Sequence, residues 1–230
     1  MQERTLLRIG GVSLMVGFVL TIVHVVLLVV DAPLSDAGDT EAFLQSIVDS
    51  SIWAGNHVLV LVPLLLGVGG LLALYRSITG EPGAALAQLG FAAALMGGAI
   101  TSVSVAILGG GAMKELADAW AAAADNEVPL AVAEAALLVS FDIGSWGNLV
   151  FYGVAPILYG LAIALTGLYP KWLGWVAVIG GVGGVLIQIV QFSQGVSQVT
   201  ASVYVAFFLV VTLWLLVMGV LMWRKAGAAA

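Results

Sequence analysis

The sequence predicts an all-α fold: a polytopic membrane protein whose six transmembrane helices form one bundle, with both the N and C termini cytoplasmic. The chain is 62% hydrophobic and 9% charged, whereas a soluble domain carries about 25% charged residues. Six apolar stretches each approach or exceed the ~20 residues that span a bilayer as a helix. Because a bilayer admits only helices or closed barrels, and these runs show no period-two alternation, helices are predicted.

The six predicted spans follow one another along a single membrane domain, residues 1–230, with little room for a separate soluble domain. They cover residues 6–30, 52–75, 85–108, 140–166, 172–192 and 201–223. The first apolar run is too long for a typical signal-peptide core and no small-x-small cleavage site follows it cleanly, so we expect it to be retained as a span. Arg76 ends the second span, and Gly109 to Gly111 close the third.

Two connections are long enough for structure of their own: residues 31–51 and residues 109–136. In the first, Asp39-Thr40 predicts the cap of a short helix over 41–49, with Phe43, Ile47 and Val48 on one side. In the second, the spacing of Leu116 and Trp120 predicts a short helix over 114–124. We expect both helices to lie over the external end of the bundle or on the membrane interface.

The charges predict the orientation of the bundle. Lys114 is placed on one side together with eleven of the thirteen acidic residues, and the other six of the seven basic residues fall on the opposite side. Those six are Arg4, Arg8, Arg76, Lys171, Arg224 and Lys225. The positive-inside rule makes their side cytoplasmic. We therefore expect a multi-pass protein of the cell membrane whose two acidic loops are external.

Composition also restricts the kinds of partner and the kinds of site that the chain can have. A net charge of −6 disfavours nucleic acid, which leaves the lipid bilayer, a second membrane protein or a second copy of the chain. An acidic, lysine-poor exterior resembles that of halophile proteins. The chain has no cysteine, which excludes disulfides, thiolate metal sites and cysteine catalysis. No lysine lies within a span, which excludes a retinal Schiff base.

Small residues recur at helical spacing within the spans, and such stripes bring helices together in lipid. In the first span the stripe runs Gly10, Ser13, Gly17, Thr21 and His24, and in the fifth Gly180 and Gly184 form a GxxxG pair. These faces are expected to turn inward and to leave Leu, Val and Ile to the lipid.

Polar residues concentrate in the outer half of the predicted bundle, and polar groups inside a membrane point to function. We expect these side chains to form one polar pocket. They are His24, Asn56, His57, Thr101, Ser104, Asp142, Ser145, Asn148, Tyr152, Gln188 and Gln191. Asp142 has a second interpretation as the cap of the fourth helix, since a carboxylate is stable at a helix N-terminus. Pro156 predicts a kink beside this polar stripe.

Three hypotheses compete for the two histidines, which lie at matched depth, roughly 7–9 Å below the outer ends of their helices. His24 and His57 could be paired axial ligands of a haem b. With Asp142 or an external acid they could bind a divalent metal or relay protons. Alternatively they hydrogen-bond across helices, and this third hypothesis is the one the pattern favours.

The sequence contains no phosphate-binding loop, no HExxH and no GxSxG motif. A membrane-embedded enzyme acting on lipid would need a serine and a base at one depth, and Ser104 or Ser145 with His57 are the residues available. The sequence favours a non-enzymatic protein over this alternative. Because no basic residue is buried, an anionic substrate is disfavoured.

Several segments are similar to a family of multi-pass bacterial and archaeal membrane proteins known as the domain of unknown function 4386 family. In that family a G-x-L-P-R-W-L-G turn joins two late spans. The segments that carry the resemblance are Tyr159–Leu161, Leu168–Trp175, the glycine run 180–184, Ser35–Glu41 and Leu71–Arg76. Lys171 stands where the family turn has Arg. The resemblance implies a six-helix fold and no known activity, and it adds no support for a role of the histidines.

Together these features predict a membrane protein that binds a small neutral or cationic ligand in its outer polar pocket, or that serves as an accessory subunit of a membrane complex. A haem b or metal-binding redox protein using His24 and His57 is the first alternative. A lipid-directed membrane enzyme is the second.

Overall fold

The computed structural model describes residues 2–31, 39–195 and 197–228, and within these residues the chain is helical with no strand. The elements are α1 (Gln2–Asp31), α2 (Thr40–Asp49), α3 (Trp53–Ile78), α4 (Ala84–Gly109), α5 (Gly111–Ala122), α6 (Glu127–Asn148), a π-helical segment (Leu149–Val154), α7 (Ala155–Leu165), α8 (Lys171–Gln194) and α9 (Gln198–Ala228). Residues 32–38 of the first predicted loop and residue 196 of the last turn lie outside the described residues.

Six helical stretches are long and apolar enough to cross a membrane. These spans are α1, α3, α4 continued by α5, the continuous unit from α6 through α7, α8 and α9. Each span contacts the next along the chain, and α9 returns to pack against α1, so the six spans form a closed ring. The end that carries α2 and α5 is called the loop end, and the opposite end, with the two chain ends, is called the terminal end.

The start of the fourth span differs from the prediction. α6 begins at Glu127, not near residue 140, so residues 127–136 of the predicted second loop are helical. Pro129 lies in the first turn, where its missing N–H costs no hydrogen bond. Ala133, Leu137 and Ser140 continue the buried face of the helix into this extension. A helix need not end where the apolar run ends, because packing against other helices stabilises it beyond the membrane.

The short helices α2 and α5 lie together over one end of the ring. The side chain of Asp39 accepts a hydrogen bond from the Ala42 amide at 2.9 Å, which confirms the predicted cap of α2. Both helices join a separate apolar cluster at the loop end. Its buried members are Phe43, Leu44, Ile47, Trp53, Met113, Ala117, Ala133 and Leu137. α5 therefore buries Met113 and Ala117, whereas the predicted pair Leu116 and Trp120 is only partly buried.

Glycines bring α7 and α8 into close backbone contact. The carbonyl oxygen of Gly160 lies 2.5 Å from where a Cβ on Gly174 would stand, and the Val178 amide nitrogen lies 3.0 Å from a Cβ placed on Gly160. These neighbours are backbone atoms, which cannot move aside as a flexible side chain can. The predicted GxxxG residue Gly180 faces α9. Gly184, together with Gly181, approaches the π-helical segment.

At the terminal end, Tyr169 joins three spans. Its hydroxyl lies 2.9 Å from the Ser77 hydroxyl of α3, and the ammonium of Lys225 on α9 lies 5.1 Å from its ring centre. Burial raises the pKa of the Tyr169 phenol, and the hydrogen bond with Ser77 opposes part of that rise. The phenol therefore stays protonated at neutral pH and available for hydrogen bonding.

Candidate functional site

Five of the six spans line a partly open cavity of about 310 Å³, called here the central cavity. Four of the residues predicted to form a polar pocket line it: His24 of α1, Thr101 of α4, Asn148 of α6 and Tyr152 of the π-helical segment. His24 is seven residues from the end of α1, about 10 Å from the loop end of that helix. The structure thus brings hydrogen-bonding side chains from three spans to one interior space.

The His24 ring is held in a defined orientation by Asn56 of α3. Its Nδ1 lies 2.9 Å from the Asn56 side-chain oxygen and 3.1 Å from the Asn56 carbonyl oxygen. Both oxygens can only accept, so Nδ1 carries the proton and donates. The Asn56 amide completes the contact by donating to the His24 carbonyl at 3.4 Å. This leaves Nε2 as the second hydrogen-bonding atom of the ring, with its lone pair free to accept.

His57 occupies a different environment from His24. Its Nδ1 lies 2.8 Å from the carbonyl of Trp53, one helical turn earlier, and its ring packs 4.2 Å from the Trp53 indole. Gly109 lies against the ring so closely that a Cβ there would overlap it. The Trp53 indole in turn donates to the Leu108 carbonyl at 3.1 Å. His57 is therefore buried in the α3–α4 contact and is absent from the lining of the central cavity.

The Thr101 hydroxyl is a buried oxygen with no hydrogen-bond partner among the described residues. Gly147 allows α6 to approach α4 at this point, since a Cβ there would overlap Thr101. Buried hydroxyls are rarely left unpaired, because each lost hydrogen bond costs about 1–3 kcal/mol. On the facing wall, the Tyr152 ring packs edge-on against Phe208, with ring centres 4.8 Å apart.

The remaining predicted site residues do not line the central cavity. Ser104 and Ser140 hold α4 to α6, each hydroxyl donating to the other's backbone carbonyl, at 2.8 Å and 3.1 Å. Asp142 is exposed and lies in the middle of α6, which excludes the alternative that it caps this helix. Ser145 is half-buried on α6. Gln188 and Gln191 are buried along α8.

Sequence reasoning missed the contribution of α9, which supplies Tyr204, Val205, Phe208 and Leu209 to the lining. The i, i+4, i+8 spacing of Tyr204, Phe208 and Thr212 is the signal that could have identified an inward face. Thr21 of α1 also lines the cavity. It was assigned only to the packing stripe, although it precedes His24 by three residues and so shares its face.

A family model described as Domain of unknown function (DUF4386) matches residues 4–219. The chain belongs to this family. The match confirms the resemblance carried by the late-span turn, and it covers all or part of each of the six spans. No curated protein and no solved structure matches the chain.

The geometry of this DUF4386 chain does not favour a metal or a haem between its histidines. No group of three His, Cys, Asp or Glu side chains comes together within the described ranges. The two imidazole rings are 6.3 Å apart and nearly perpendicular, but only His24 lines the central cavity. Two axial ligands must face one slot that admits the porphyrin between them. With Trp53 packed on His57, hydrogen bonding is the role that the geometry supports.

The central cavity of the DUF4386 chain differs in charge from the loop end of the bundle. None of the lining residues is Asp, Glu, Lys or Arg. A second cavity of about 260 Å³ lies between α2 and α6 at the loop end and includes Asp39 and Glu134. The acidic groups therefore lie at the loop end, while the interior of the ring offers uncharged donors and acceptors.

Proposed function

We propose that this chain is a ligand-binding membrane protein whose central cavity holds a small uncharged molecule. One observation carries the proposal: an interior space of about 310 Å³, lined by His24, Thr101, Asn148 and Tyr152 among apolar side chains. Ligand sites are typically apolar cavities of ~300–1,000 Å³ with a few convergent polar groups. This cavity combines those features within a ring of membrane spans.

The chemistry of the lining favours a neutral ligand over an ion. An anion would need a basic partner and a cation an acidic one, because an unpaired charge in a water-poor interior is costly. Nε2 of His24 can accept from a ligand O–H, and the side-chain amide of Asn148 can donate to a ligand oxygen. A molecule with one hydroxyl group offers a donor to the first and an acceptor to the second.

Mass spectrometry of the intact purified protein tests this function. We expect the detergent-solubilised chain to retain an uncharged molecule that organic solvent extracts. Thr101→Trp, which fills the central cavity, should abolish the bound mass. Val103→Trp is the matched control, because Val103 lies on the same helix, is exposed, and is absent from the cavity lining. Equal retention by both variants would place the molecule on the outer surface and contradict the proposal.

A further inference from the structure

The wall of the central cavity is incomplete on one side. Val25, Val205 and Leu209 line the cavity and are its most exposed lining residues, at 39%, 48% and 39%. The other lining residues are buried or half-buried. All three exposed residues belong to α1 and α9, so we place the opening of the cavity between these two helices and call it the mouth.

The seam between α1 and α9 changes along its length. Near the terminal end the helices touch through glycine: a Cβ on Gly11 would lie 3.0 Å from the Trp223 amide nitrogen, and a Cβ on Gly219 would lie 2.8 Å from the Gly11 carbonyl oxygen. Farther along, Thr21 and Thr212 border a cavity of about 20 Å³, enough for about one water molecule. Nearer the loop end the seam borders the central cavity. The helices therefore close at one end and leave the mouth at the other.

The mouth lies within the apolar length of the spans. Val25 is six residues from the end of α1 at Asp31, and Val205 is six residues into the span Val199–Gly227, so both lie about 9 Å from the helix ends. Leu209 is about 15 Å from that end. Valine and leucine at the rim offer no hydrogen bond to an entering molecule. At this depth the mouth faces lipid chains.

The rim of the cavity is apolar, and the hydrogen-bonding side chains of the lining are less exposed than the rim. Val25, Val205 and Leu209 are exposed, whereas the polar lining residues are half-buried; these are Thr21, His24, Thr101, Asn148, Tyr152 and Tyr204. His24, directed by Asn56, supplies an acceptor. An elongated amphiphile therefore matches the cavity with its head among these polar side chains and its chain toward the mouth.

We propose that the central cavity opens sideways into the bilayer between α1 and α9 and admits a single-chain neutral lipid with a hydroxyl head group. The hydroxyl donates to His24 Nε2 and accepts from Asn148, and the hydrocarbon chain leaves through the mouth. This inference rests on the proposed function, since it names the ligand class and the route for the same cavity.

Photocrosslinking in vesicles tests the route and the ligand class together. The probe is a long-chain primary alcohol that carries a diazirine near its hydroxyl, present at trace level in phosphatidylcholine vesicles that contain the protein. Adducts are mapped by peptide mass spectrometry. We expect adducts on the wall peptides that include Thr101 and Tyr152, and competition by unlabelled dodecan-1-ol but not by dodecane.

Two bulky variants separate entry from binding. Val205→Trp at the mouth should reduce the initial rate of wall labelling about tenfold, and Leu209→Trp serves as a second mouth variant. Leu213→Trp is the control, because Leu213 is 50% exposed on the same helix and does not line the cavity. All variants are compared only as monodisperse samples.

The outcomes distinguish the two proposals. Wall labelling that is lost in Thr101→Trp but unchanged in both mouth variants would overturn lateral entry and leave the binding function intact. Wall labelling that persists in Thr101→Trp would contradict binding in the cavity. Equal competition by dodecane and dodecan-1-ol would overturn the assignment of a hydroxyl head group.

Discussion

At the scale of single residues, polar side chains within the ring divide into those that hold helices together and those that face the central cavity. Asn56, Ser104 and His57 each have a partner in the protein. Among the described residues the Thr101 hydroxyl has none, and neither do the side-chain oxygen of Gln188 and the indole nitrogen of Trp214, which do not line the cavity. An unpaired polar atom within a membrane span therefore does not by itself indicate a ligand site, and the side chain must also line the cavity.

The Asn56–His24 pair is expected to contribute coupled stability. Asn56→Leu should lower the free energy of unfolding by removing the side-chain acceptor, one of the two oxygens that fix the His24 ring. The same substitution should cost less in a His24→Leu background, with a coupling energy of about 0.5–1.5 kcal/mol, in the range of interhelical hydrogen bonds in membranes. Thermal unfolding of the four proteins in detergent measures this coupling. Additive costs would show that the pair contributes no interaction energy.

The sequence could place the two histidines at one depth but could not separate their roles. Depth follows from residue count along an apolar helix, which sequence provides. Which ring faces the cavity depends on helix rotation, and that depends on tertiary packing. Trp53 and Gly109 enclose His57, and neither was linked to it in the sequence.

At the scale of elements, glycine positions decide how closely the spans approach. Gly160 on α7 and Gly174 on α8 bring two backbones into contact, whereas Gly69 on α3 has no neighbouring atom within 4 Å of an added Cβ. Glycine is therefore needed for close helix contact at residues 160 and 174, whereas no neighbouring atom requires glycine at residue 69.

Alanine substitution should separate these two kinds of glycine. Gly160→Ala is expected to lower stability by about 1–3 kcal/mol, because the added methyl meets rigid backbone. Gly69→Ala is the matched control and should raise stability by about 0.5–1 kcal/mol through helix propensity. Unfolding midpoints in detergent provide the measurement. A loss at both positions would show that lipid-facing glycine also has a packing role.

Helix boundaries were predicted well where the length of the apolar run alone determines them. The spans over α1, α3, α4 and α8 agree with the apolar runs to within a few residues. α6 was misjudged because its first turns leave the apolar stretch and are stabilised by contact with the helices at the loop end. α9 was located correctly, but its inward face was missed because Tyr204 and Phe208 are compatible with either lipid or cavity.

At the scale of the whole molecule, six crossings arranged in a ring bring both chain ends to one end of the bundle. The acidic helices α2 and α5 cover the other end. Among the described residues, the exposed part of the cavity lining lies on the first and last spans, α1 and α9. These two helices therefore both complete the ring and border the exposed side of the cavity.

Single cysteines can test this arrangement, because the chain has none of its own. Ala119→Cys at the loop end should react with a membrane-impermeant maleimide in intact cells. Thr79→Cys and Gly227→Cys at the terminal end should react only after permeabilisation, as the positive-inside rule requires. Reversed labelling would overturn the orientation, and labelling of Thr79→Cys and Ala119→Cys from one side would contradict the crossing of α4.

The π-helical segment Leu149–Val154 determines which side chain of its span faces the central cavity. Its i→i+5 hydrogen bonds add about one residue relative to an α-helix, as in the bond from the Ala155 amide to the Val150 carbonyl. One extra residue turns the helix by ~100°, which lets Tyr152 face the cavity while Gly153 and Gly160 both face α8. A relative that lacks one residue here would present a different side chain to the central cavity without any change in the α7–α8 contact.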